Sequence, residues 1–133
     1  MRPLGDTDGM AFTSTDIDTA LESVTEHWTP RVIGRVNDQY VKVAKLLGEL
    51  VWHAHDAEDE LFLVVFGDLR IQLEGADDVL LGPGQFFVVP KGVRHNPVAE
   101  REVGIVLIET VTTAHTGSEQ TDRTVPIDRQ LGA

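Results

Sequence analysis

The stretch 52–67, W-H-A-H-D-A-E-D-E-L-F-L-V-V-F-G, constrains this chain more than any other. His53 and His55 lie two apart, so on an extended strand both imidazoles leave the same face. Four residues of acidic turn follow, and Glu60 then opens the apolar run 61–66. Glu60 shares strand parity with Phe62, Val64 and Phe66, which directs its carboxylate inward with them. A carboxylate in an apolar interior is costly unless paired, and two imidazoles on the preceding strand point to a metal ion as the partner. Taken alone, H-x-H is short enough to arise by chance, and two surface histidines beside a solvated acidic loop account for this stretch equally well.

A second stretch, 84–95, reads G-Q-F-F-V-V-P-K-G-V-R-H and separates the two readings. It is a buried strand, a Pro-Lys-Gly reversal and a histidine. Pro90 suits the second position of a type I turn and Gly92 the fourth, so His95 returns close to where the preceding strand ended. Three imidazoles and one carboxylate from separate strands form a donor set for a divalent transition metal.

With both stretches in hand, the chain resembles the cupin superfamily, in particular the small single-domain, mannose-6-phosphate-isomerase-like cupins. The first cupin motif, H-x-H, three or four residues, Glu, six residues, Gly, is matched by His53, His55, Glu60 and Gly67. The second, Gly, five residues, P-x-G, two residues, His, is matched by Gly84, Pro90, Gly92 and His95. The family often has five residues between a glycine and the first histidine, where four separate Gly48 from His53. An Asn frequently closes the second motif, where this chain has Ala99. Neither position supplies a ligand. The resemblance covers residues ~35–110 and implies a double-stranded β-helix (jelly-roll) barrel holding one metal on His53, His55, Glu60 and His95. It is silent on reaction type, because unrelated chemistries share one barrel.

Composition limits the alternatives. At 133 residues the chain is expected to form one domain with a real core. Without cysteine there is no disulfide and no thiolate zinc site, which fits a reducing cytosol. A net charge of −11 argues against a nucleic-acid partner. No apolar stretch reaches the ~20 residues of a membrane span, and the N-terminus is too polar for a signal peptide. A cytoplasmic protein is the expectation.

In chain order, residues 1–30 are expected to be a loose tail and a short helix, 31–112 the barrel, and 113–133 a polar tail. Ser14 or Thr15 caps a helix whose apolar stripe is Ile17, Leu21, Val24 and Trp28, with Pro30 ending it. His27 falls beside that stripe as a surface residue. Strands are expected over 31–36, 39–47, 50–55, 60–66, 69–73, 79–81, 85–89, 94–98 and 103–111, with Gly48 as a break or bulge, Gly67-Asp68 as a hairpin turn and 100–102 as another turn. Roughly nine short strands at close spacing describe an all-β sandwich or barrel. Runs such as 60–66 and 85–89 are apolar on both faces, so the outer face needs cover from the helix, a second layer or a partner. Small cupins commonly pair through such a face, and the resemblance implies a homodimer.

Three imidazoles and a carboxylate suit Mn, Fe, Co, Ni, Cu or Zn, and spacing does not choose among them. An octahedral ion with four protein ligands keeps two positions for water or substrate. Phe62, Val64, Phe86 and Val88 are expected to line the pocket. Tyr40, Gln72, Arg94 and Glu109 are polar neighbours available for proton transfer, each read first as structural. His115 is expected to be solvent-exposed on the tail, the sharper alternative placing it over the barrel mouth. A metal-dependent enzyme on a small oxygen-rich molecule (oxygenase, isomerase or lyase) is the leading functional expectation. A non-catalytic sensor or carrier is the alternative, ahead of a purely structural barrel.

Overall fold

The computed structural model describes residues 12–117, 119–121 and 123–132, so most of the expected N-terminal tail, 1–11, lies outside the described residues. The short helix α1 spans Ile17–Glu22. Its cap is Asp16, whose carboxylate accepts the Thr19 N–H at 2.9 Å and the Thr19 hydroxyl at 2.7 Å, rather than Ser14 or Thr15. The helix ends well before Pro30. Trp28 adopts a positive φ of 61° and joins the barrel core, its indole N–H donating to Leu47 O at 2.7 Å.

Seven strands follow: β1 (Arg31–Val36), β2 (Gln39–Glu49), β3 (Glu60–Phe66), β4 (Leu69–Leu73), β5 (Ala76–Leu81), β6 (Phe86–Val89) and β7 (His95–Thr110). All pairings are antiparallel, in the order β1-β2-β7-β3-β6, with β4 joining β7 and β5. The long β7 organises the barrel. Its first residues pair with β4, and its second half runs between β2 and β3. This is the jelly-roll barrel that the sequence led us to expect.

One expected break and one expected strand are not found. Residues 100–102 do not turn: they remain in β7 as an exposed bulge where the β2–β7 register shifts, between the pairs Gly48↔Ala99 and Leu46↔Val103. Conversely, 50–55 is not a ladder strand. β7 begins at His95, so it offers that segment a single rung, and only the isolated bridge His53↔His95 forms.

Alternation along β3 sets the two faces. Glu60, Phe62 and Val64 are buried inward, and Leu61, Leu63 and Val65 face outward. Phe66 breaks the expected parity, because the β3–β7 register shifts between Val64 and Phe66 and turns its ring outward over Gly104. The inner cluster includes Leu46, Phe62, Val64, Ile71, Val103, Ile105 and Ala99, the last filling the place of the motif's Asn. The outer face of β2, β3 and β7 is covered by α1 and the residues just after it, through Leu21 and Val24 against Val43, Val106, Leu63 and Val65. No helix of the described residues is long and apolar enough to cross a membrane.

Candidate metal centre

His53, His55, Glu60 and His95 come together inside the barrel, each offering one ligating atom, with all of these atoms within 4.8 Å of one another. All four residues are buried. The placement follows from backbone bonds. His53 and His95 exchange both amide hydrogen bonds (His53 N to His95 O, 3.0 Å; His95 N to His53 O, 2.8 Å), which sets their imidazoles side by side with ring centroids 4.4 Å apart. Gly92 N donates to His55 O at 2.8 Å, so the Pro-Lys-Gly reversal is itself tied to the H-x-H segment. That reversal is framed one residue later than the sequence suggests. Val93 N donates to Pro90 O, and Gly92, at φ 79°, occupies the third position, where a type II turn requires positive φ.

The protonation state of two rings is fixed locally. His53 Nδ1 donates to Val51 O at 2.9 Å and His95 Nδ1 donates to Val93 O at 3.0 Å. A backbone carbonyl accepts only from an N–H, so in the neutral rings Nε2 carries the lone pair. His95 Nε2 and both nitrogens of His55 are buried with no hydrogen-bond partner among the described residues. His55 Nε2 and His95 Nε2 each lie 3.4 Å from Glu60 Oε1, but too poorly aligned for a hydrogen bond. Unpartnered buried nitrogens are expensive unless something else satisfies them. Donors bonded at ~2.1 Å to one ion stand ~3.0 Å apart at right angles and ~4.2 Å at most, so the group fits a transition metal after a contraction of about half an ångström.

The electrostatics also suit a cation. Burial, then the neighbouring His95, lowers the His53 pKa to about 4, leaving a neutral imidazole at ordinary pH. Burial opposes the charged form of His55 too, but the Glu60 carboxylate outweighs it and raises this pKa. Burial alone would raise Glu60, yet interactions with Glu109, His55 and His95 hold it well below the usual carboxylate range.

Beyond the motif residues stands a charged array. Glu109 is the cross-strand partner of Glu60. Its Oε1 accepts from Lys42 Nζ at 2.6 Å, and Lys42 in turn donates to Gln130 Oε1 at 2.5 Å. Gln130, on the short helix α2 (Ile127–Gln130), donates to Val125 O at 2.8 Å. Burial first, then the Glu60 carboxylate, pushes the Glu109 pKa well above the usual range, although Lys42 opposes this. Of the other polar candidates, Gln72 accepts from Asn96, Arg94 is exposed and pairs with Glu74, and Tyr40 lies 5.7 Å from Lys42 Nζ.

A small cavity of about 30 Å³ adjoins two of the four residues, His53 and Glu60, and is walled further by Trp28, Leu50, Phe62, Leu107, Glu109 and His115. Of the expected lining only Phe62 is there. Val64 lies deeper, in the core. Phe86 and Val88 point away, 61% and 38% exposed, because Glu60 pairs with Val89 and Phe62 with Phe87, which gives the inward parity of β6 to those two residues. His115, expected in solvent, is half-buried against the cavity. Its pKa is lowered to about 4, by burial first. A wider groove of about 730 Å³ beside Arg70 and Arg101 shares no residue with the four.

The cupin domain model matches residues 41–111. A cupin-2 domain protein of solved structure from Shewanella frigidimarina is 38% identical, with a TM-score of 0.70 over 72% of this chain and 93% of that one. The uncharacterized protein YdbB of Bacillus subtilis is 38% identical over 63 residues, which is 47% of this chain and 56% of the relative. An acireductone dioxygenase of Bacillus licheniformis is 30% identical over 82 residues, 59% of this chain and 46% of that enzyme. The chain thus spans about half the length of these two curated relatives. The matched domain takes in both motif stretches and all four of His53, His55, Glu60 and His95, and on that ground the chain belongs to the cupin domain family.

Proposed function

We propose that His53, His55, Glu60 and His95 bind one divalent transition metal, and that the protein is a metal-dependent enzyme acting on a small oxygen-rich molecule. The observation that carries this reading is the convergence of four buried donors, with His95 Nε2 and both His55 nitrogens left without a protein partner among the described residues, beside an apolar cavity. When bound, the metal supplies Lewis acidity and open positions for a chelating oxygen ligand. The chain's own residues do the rest. Val51 O and Val93 O hold two rings in the ligating tautomer, Glu60 supplies the anionic donor, and Trp28, Phe62 and Leu107 exclude water. The dioxygenase name borne by one 30%-identical relative supports redox chemistry within the wider class of oxygenase, isomerase or lyase.

The second reading, a non-catalytic sensor or carrier, is favoured by the small volume of the cavity and its closure by the C-terminal segment. The test compares metal-reloaded wild type with Glu60→Gln and His95→Ala across hydroxy acids, diketones and sugar derivatives, following conversion and dioxygen uptake. Turnover in wild type and its loss in both variants supports the enzyme. Tight, metal-dependent binding without turnover replaces it with the sensor or carrier. We further propose a homodimer in solution, with the outward Phe86 and Val88 of β6 at the contact. Light scattering should then give twice the chain mass, and a stable monomer at micromolar concentration refutes it.

A further inference from the structure

The C-terminal segment brings to the cavity one imidazole that the four-ligand group does not use. His115 walls the cavity beside His53, Glu60 and Glu109, and its Nδ1 accepts the Val125 backbone N–H at 2.9 Å. A neutral imidazole that accepts at Nδ1 carries its proton on Nε2. The second nitrogen is therefore an N–H donor, without the lone pair that a metal needs, and it has no partner among the described residues.

The ring is anchored from several sides. Val125 O accepts from Gln130, which is held in turn by Lys42. The Thr116 hydroxyl donates to Glu119 O at 2.5 Å. Gly117, at φ 57°, lies so close to the H-x-H segment that a Cβ there would overlap the Ala54 carbonyl oxygen. Ala54 separates His53 from His55, so the position of His115 is referenced to two of the ligands themselves.

We propose that His115 is a specificity-determining residue whose Nε2–H donates a hydrogen bond to an anionic or carbonyl oxygen of a small molecule held at an open metal position. This deepens the metal-centre reading and rests on it. The donor selects ligands that present an acceptor toward the C-terminal segment. An alkyl or ammonium group there would leave the N–H unpaired in a cavity that Trp28, Phe62 and Leu107 also line. The cavity volume limits the part held between metal and His115 to a few atoms.

The test titrates the full chain, loaded with cobalt(II), with azide, a small metal-binding anion that accepts hydrogen bonds. Visible absorption of the cobalt reports binding, and cobalt content is measured in parallel. His115→Phe should hold wild-type cobalt but bind azide about tenfold more weakly, as expected for losing one hydrogen bond to a charged acceptor. His115→Gln, which can accept from Val125 through its oxygen and donate through its amide, should recover most of the affinity. If circular dichroism shows His115→Phe unfolded, His115→Gln against His115→Glu decides, with only the donor-bearing variant binding tightly. Full cobalt with unchanged azide affinity in His115→Phe overturns the role of His115 alone. So does loss of cobalt in that variant, or a cobalt-loaded wild type that ignores azide. A wild type that takes up no cobalt overturns the metal-centre reading beneath it.

Discussion

Glu109 stands directly opposite Glu60 across the β3–β7 ladder, and the Lys42 ammonium lies 2.6 Å from the Glu109 carboxylate in the same interior. A buried ammonium between a carboxylate and the Gln130 amide oxygen links the metal group to the C-terminal helix. The Glu60–Glu109 carboxyl pair carries the negative charge that faces Lys42, and removing the ammonium leaves that buried charge uncompensated at a cost of about 3–5 kcal/mol. Lys42→Met should therefore destabilise the metal-free protein by roughly that amount in urea unfolding, whereas Lys42→Met with Glu109→Gln should recover a large part. Equal stability of Lys42→Met and wild type would refute the pairing.

Gly117 combines a positive φ with contact against the Ala54 carbonyl. Gly117→Ala should push the C-terminal segment off the barrel mouth at a cost of about 2 kcal/mol or more. Limited proteolysis should cut residues 113–131 faster in the variant while the barrel core resists as before. Unchanged cleavage rates would contradict the docking.

The His115 pKa is about 4 in the folded chain against an ordinary value of 6.5, lowered by burial and by His53, Lys42 and His55, with Glu60 acting the other way. Between those two values the unfolded chain binds a proton that the folded chain refuses, so this group's stabilising contribution is lost as pH falls from 6.5 towards 4. Replacing it isolates its part from the opposite effects of His55 and Glu109. Metal-free wild type should lose about 2 kcal/mol more between pH 7 and pH 5 than His115→Phe does, measured by denaturant unfolding. Identical pH slopes would remove the neutral, buried His115 from the account.

The sequence made some of this legible and hid the rest for identifiable reasons. The run 60–66 and the strand 69–73 could be read because apolar parity and Gly67 fix both ends. The four candidate ligands could be read because their spacing is set by local turns. The strand expected at 50–55 could not be excluded, since only the starting point of β7 limits it to one rung. Charge at 100–102 suggested a turn, but an exposed bulge serves the same residues without leaving the strand. The Lys42–Glu109 pair carried a readable signal. Lys42 shares parity with buried Ala44 and Leu46, and Glu109 with Val103, Ile105 and Leu107. His115 carried none, because its place depends on the distant contacts of the C-terminal segment, such as Gln130 with Lys42, 88 residues apart.

The central claim is that His53, His55, Glu60 and His95 hold one divalent transition metal, and elemental analysis tests it most directly. Native protein purified without chelators should contain close to one equivalent of a transition metal, and His55→Ala, folded by circular dichroism, should lose most of it. A metal-free wild type that takes up none of Mn, Fe, Co, Ni, Cu or Zn on dialysis, or a His55→Ala protein that keeps its full equivalent, would contradict the account.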